Sequence, residues 1–114
     1  MQNNLALPLP NRNRKIDIIP YSDILYLEGA VNYTLIHLQN GKVKISPRTL
    51  LFHIKNSLNE AFIRIHRAYC VNESYIQSYD KQQNPEYLLL QGGIKLNVSR
   101  RKQKSLIAHQ QKTN

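Results

Sequence analysis

Two turn signals set between alternating apolar runs constrain this chain more than any other feature. Asn40-Gly41 lies between Thr34-Leu-Ile-His-Leu38 and Lys42-Val-Lys-Ile45, and Gly92-Gly93 lies between Glu86-Tyr-Leu-Leu-Leu90 and Ile94-Lys-Leu-Asn-Val98. Residues that tolerate positive φ between two period-two runs specify β-hairpins, with a type I′ turn expected at Asn40-Gly41. Similar patterns predict strands over residues 15–19, 24–28 and 75–79. Helical period occurs at Leu50, Leu51, Ile54 and Leu58, and that helix starts either at Ser46-Pro47 or at Thr49. A second helix is expected from Arg100 to about His109, capped by Ser99 and weakly anchored by Leu106, Ile107 and Ala108. The expected fold is mainly β (α+β): an elongated antiparallel domain with one central helix and a short C-terminal helix. Its 114 residues make one domain with a modest core. Residues 1–13 form a lead or edge strand, 14–109 the domain and 110–114 a tail.

Sixteen Lys and Arg against seven Asp and Glu leave a net charge of +9. The excess is one-sided. No acidic residue follows Glu86, whereas Lys95, Arg100, Arg101, Lys102, Lys104 and Lys112 all do. Such a block is the electrostatic footprint of an anionic partner. Cys70 is the only cysteine, so an internal disulfide is excluded and a small core filler is expected. No run approaches the roughly 20 apolar residues of a membrane span, and the N-terminus lacks signal-peptide order, so a cytoplasmic location is expected. The carboxylates are scattered, the four histidines lack ligand spacing and no glycine-rich phosphate loop exists. Neither catalysis nor a cofactor or metal is expected.

Cations stand where packing alone would not put them. Val98-Ser-Arg-Arg-Lys102 opens a helix with three positive charges, although a helix N-terminus disfavours cations by some tenths of a kcal/mol each. An anion docked there reverses the sign, which nominates Ser99, Arg101, Lys102 and Lys104 as phosphate contacts. In Phe62-Ile-Arg-Ile-His-Arg-Ala-Tyr-Cys-Val-Asn72, Arg67 falls where the Ile63, Ile65 alternation should continue inward. The strand is expected to end before it, leaving Arg67 on an exposed loop beside Tyr69; an arginine so placed can pair with guanine O6 and N7. Arg64 faces away from the isoleucines, as a phosphate or structural contact. Lys42 and Lys44 are further phosphate candidates. Asn32, in the loop over residues 29–33, is a polar loop residue able to read adenine through N6 and N7. Tyr26, Tyr33, Tyr69, Tyr75 and Tyr87 are expected in the core rather than on a stacking platform.

These segments in order closely resemble the LytTR family of bacterial DNA-binding domains. The resemblance is carried by Asp23-Ile-Leu-Tyr-Leu-Glu28, Asn32-Tyr33-Thr34, Leu38-Gln-Asn-Gly41, Thr49-Leu50, Phe62-Ile-Arg-Ile-His-Arg-Ala-Tyr69, Val71-Asn72 and Val98-Ser-Arg-Arg101. It spans roughly residues 14 to 108, with Asn97 standing where the family often has proline. The resemblance implies loops that enter successive major grooves of double-stranded DNA, from around Asn32, from His66-Arg67 and from Ser99-Arg100-Arg101, with Asn32, His66, Arg67 and Arg100 as the base contacts. It also implies a role in transcription regulation, often on paired direct repeats bound by two copies, with input from an upstream receiver or a sensor partner. The alternatives are an RNA or single-strand binder and a protein-interaction module docking an acidic partner.

Overall fold

The computed structural model describes residues 5–110. Residues 1–4, the tail beyond 110 with Lys112, and the side chains of Ser105, Ile107, Ala108, His109 and Gln110 lie outside that description. Among the described residues, ten strands, two α-helices and two short 3-10 turns form an elongated body of 48 × 31 × 25 Å. The strands are β1 (Ala6–Pro10), β2 (Ile16–Pro20), β3 (Ile24–Ala30), β4 (Tyr33–Leu38), β5 (Val43–Ser46), β6 (Phe62–His66), β7 (Tyr69–Asn72), β8 (Ile76–Ser78), β9 (Tyr87–Leu90) and β10 (Ile94–Asn97). The helices are α1 (Leu50–Asn56) and α2 (Arg100–Gln110).

A five-stranded antiparallel sheet, in the order β5-β4-β3-β7-β6, is the central layer. Alternation along its strands feeds two cores. Leu27, Ile36 and Cys70 point to one face, where Leu7, Leu9 and Ile19 of the β1–β2 hairpin and Leu50 of α1 meet them. Tyr26 and Val71 point to the other, where Leu88, Leu90 and Leu96 of the three-stranded sheet β10-β9-β8 and Leu106 of α2 complete the packing. Both faces of the middle strands are therefore apolar, and β3 reads Ile-Leu-Tyr-Leu without a break. Residues 6–10 belong to the fold as β1.

The two glycine turns form, with a different geometry at the first. Leu38 N–H donates to Lys42 O at 2.9 Å, so the loop has three residues, Gln39 to Gly41. Gly41 takes φ +87° while Asn40 stays outside the left-handed region and accepts the Lys42 N–H through Oδ1. This is the three-residue loop closed by a left-handed glycine, not the expected type I′ turn. At the second, Gly92 and Gly93 sit at φ +88° and +81°. The central helix starts at Leu50 with Thr49 as N-cap, its Oγ1 accepting from Phe52 N–H at 3.2 Å; the Ser46-Pro47 start is not used.

Instead, Ser46 anchors a buried polar bridge. Its Oγ lies 2.6 Å from His53 Nε2, and His53 Nδ1 lies 3.0 Å from Ser57 Oγ. Burial first, and the Arg48 charge second, hold the His53 pKa below its ordinary 6.5, so the ring is neutral. Asn72, also buried, donates from Nδ2 to Tyr21 O at 3.0 Å and Ile24 O at 2.9 Å and accepts from Ser74 N–H at 3.0 Å. It ties the end of β7 to the chain entering β3.

Two outcomes follow. Asn72→Ala strands two buried carbonyls and should cost about 2–4 kcal/mol in a denaturant melt. Because the folded His53 pKa is depressed, the unfolded state binds more protons as pH falls through 6.5. Stability should decline below about pH 6.5, and less steeply in His53→Gln, as compared by unfolding midpoints on either side of that pH.

Candidate nucleic-acid interface

Three loops meet at one end of the central sheet. The β3–β4 connection is a two-residue turn, Val31-Asn32, because strand pairing continues to Ala30 opposite Tyr33. β3 is thus two residues longer than its apolar pattern suggested. The Gly29 N–H donates to Ala68 O at 2.8 Å, bringing the β6–β7 turn, Arg67-Ala68, alongside. A Cβ at Gly29 would stand 3.2 Å from Leu50 Cβ, so the same position seats α1. The Ser99 N–H donates to Ile65 O at 2.9 Å, and this sets the start of α2 against the end of β6.

The β6–β7 turn is built by a bulge. Pairing shifts between Arg64 and His66, and Ile65 is fully buried there. A bulge turns the strand and re-aims the residues beyond it, so Arg67 lies exposed although strand parity pointed it inward. Arg64 folds back over the turn, its Nη2 donating to Arg67 O at 2.8 Å. Of the two roles expected for Arg64, the structural one is occupied. His66 Nδ1 accepts the Ala68 N–H at 3.0 Å, so a neutral His66 carries its proton on Nε2, as a donor.

Arg64, His66, Arg67, Ser99, Arg101 and Lys102 line an open groove of about 450 Å³ that has no carboxylate in its wall. The Ser99 carbonyl accepts from Lys102 and Gln103 N–H, which makes Ser99 the residue that opens α2. Arg100 is exposed beside the groove rather than lining it, since each helical step rotates the side chain by about 100°. Lys104 is exposed one turn on. Lys42 and Lys44 are not brought together with these groups. Lys42 sits at the β4–β5 loop, at the far end of the sheet, and Lys44 faces solvent in the edge strand β5 opposite Ile36.

Arg48 was not among the sequence candidates. Thr34 Oγ1 donates to its carbonyl at 2.8 Å, which ties the Arg48 backbone to β4 two residues after Asn32, and its guanidinium lies over the Phe52 ring of α1 at 4.6 Å. A lone arginine just ahead of a helix cap carried too little pattern to be noticed. Tyr33 and Tyr87 correct another expectation: they are 42% and 40% exposed, whereas Tyr26 is buried. Tyr87 instead lies under Lys95 Nζ, 5.0 Å from its ring. Cys70 is buried, and burial pushes its thiol pKa up to about 12.

Val31 is the anomaly of this end. It takes φ +50°, a region costing a β-branched residue about 1–3 kcal/mol, and it is 93% exposed.

A family model described as the LytTr DNA-binding domain matches residues 14–111. No curated protein matches the chain. Among solved structures, the chain is similar to the LytTr DNA-binding domain of a methyl-accepting/DNA response regulator from Bacillus cereus, with a TM-score of 0.70 and 19% identity over 96% of each chain. The likeness shows a shared fold.

The hydrogen bonds separate two neighbouring arginines. Arg64→Ala should destabilise the fold by about 1 kcal/mol through its lost turn contact. Arg67→Ala should leave the melting temperature unchanged, and thermal unfolding of both variants checks the contrast.

Proposed function

This chain belongs to the LytTr DNA-binding domain family, and on that premise we propose that it reads a defined sequence in double-stranded DNA through the three clustered loops. DNA binding in transcription regulation is the family's role. The finer assignment rests on one observation: the Asn32 turn, the His66-Arg67 turn and the start of α2 share one end of the sheet, around a groove walled by cations without an acid.

Arg101, Lys102 and Lys104, with the Ser99 hydroxyl, hold phosphate at the start of α2, where backbone N–H groups add to the attraction. Arg67, exposed at its turn, takes a guanine edge; His66 donates from Nε2 to an adjacent acceptor. Asn32 offers an amide to adenine, and Arg100 approaches from the helix side. Arg48 adds a phosphate contact beside Asn32. Loops spaced along one end of an elongated body suit successive grooves on one side of a duplex, with two copies on direct repeats and input from an upstream receiver or sensor. The burial of Tyr26 and the packing of Tyr69 and Tyr75 into the second core favour duplex over single-strand stacking.

Selection from randomised duplexes should yield a consensus site. If about six phosphates are neutralised, log K should fall with log salt at a slope near −5. Arg67→Ala should cost about 1–3 kcal/mol on the selected site and much less on a scrambled duplex. Equal losses on both, measured by fluorescence anisotropy, would refute base reading by Arg67.

A further inference from the structure

The strained valine at the tip of the β3–β4 turn has no reason inside the molecule. Its φ of +50° is one that glycine or asparagine adopts readily and a β-branched residue does not. Its side chain is 93% exposed, so folding buries almost none of its apolar surface. A turn shaped only for hairpin closure would carry Gly or Asn there. Strain and apolar exposure together, on a turn held beside the cationic Arg67 turn, are the mark of a contact made outside the chain.

The chemistry of duplex DNA offers one complement. Base edges in the major groove are hydrogen-bond donors and acceptors, with a single apolar group among them, the C5 methyl of thymine. Val31 immediately precedes Asn32, and the Gly29–Ala68 hydrogen bond holds their turn beside Arg67. We propose that Val31 is a specificity-determining residue whose γ-methyl groups pack on the C5 methyl of a thymine next to the base met by Asn32. This rests on the duplex-reading function proposed above. The left-handed backbone then has a purpose: it turns the side chain out from the hairpin, along the approach of the groove.

The test removes one methyl at a time. Using the full chain and a duplex from the selection, each thymine is replaced in turn by deoxyuridine, which lacks only the C5 methyl. For the unaltered protein, binding should weaken about fourfold at one position, the worth of one buried methyl group, and stay unchanged elsewhere. Val31→Gly and Val31→Asn, both suited to positive φ, should bind the thymine and uracil duplexes equally at that position. Both should keep the salt slope, with melting temperatures equal to or above that of the unaltered chain. Failure to bind any duplex would remove the underlying function and the inference with it. Sequence-specific binding with no uracil-sensitive position, or with a sensitivity that persists in both variants, would overturn the Val31 assignment alone. Lower melting temperatures in both variants would also overturn it, by giving the valine a structural role.

Discussion

The hydrogen bond from Gly29 N–H to Ala68 O is the contact on which the cationic end depends. It carries the pairing of β3 and β7 beyond Glu28 and Tyr69, the last residues in regular register, into the two turns themselves. Without it, the Asn32 turn and the Arg67 turn would be separate loops at the ends of separate strands. The missing side chain at Gly29 matters as much, because a Cβ there would crowd Leu50 Cβ at 3.2 Å, and the seat it leaves open brings the loop bearing Arg48 alongside. Three chain segments are thereby held at fixed spacing by main-chain and apolar contacts. The charged side chains remain outside that framework.

That division of labour explains the electrostatics. Polar groups on and against the central layer are paired internally: buried His53 of α1 between two serines, buried Asn72 among three backbone groups, and half-buried His37 Nε2 with Glu28 Oε1 at 2.9 Å. None of the groove cations is neutralised by a carboxylate in its wall. Clustered like charges raise the free energy of the isolated fold, and the start of α2 adds its own positive end to theirs. A phosphate array relieves both costs at once.

Much of this was legible in the sequence. The glycine turns, the alternating runs and the helix around Leu50 were marked by local chemistry, and the cations of α2 by their conflict with the helix dipole. What escaped notice depended on tertiary context. The bulge at Ile65 shows no glycine or proline, so the exit of Arg67 could be inferred only from its charge. The two-residue turn at Val31-Asn32 has a valine where Gly or Asn is usual, and the apolar pattern of β3 stops two positions before the strand does. Tyr33 and Tyr87 read as core because aromatic residues in apolar runs usually are. Lys42 and Lys44 share the charge of the groove residues, and their distance from it is set by strand direction, which residue type does not encode.

The β1–β2 hairpin carries a consequence of its own. Its main-chain bonds fall at Leu5 with Tyr21 and Asn11 with Lys15, so alternation puts the N–H positions of residues 6, 8 and 10 on the outer rim of β1. Pro8 and Pro10 occupy two of the three, and Pro20 takes the corresponding place in β2. Proline has no amide hydrogen to offer a passing strand. The face outside those strands is apolar, with Ile16 and Ile18 more than 60% exposed, and would otherwise invite intermolecular sheet growth. The prolines make the rim a poor template, leaving an oily surface that resists fibril-like stacking.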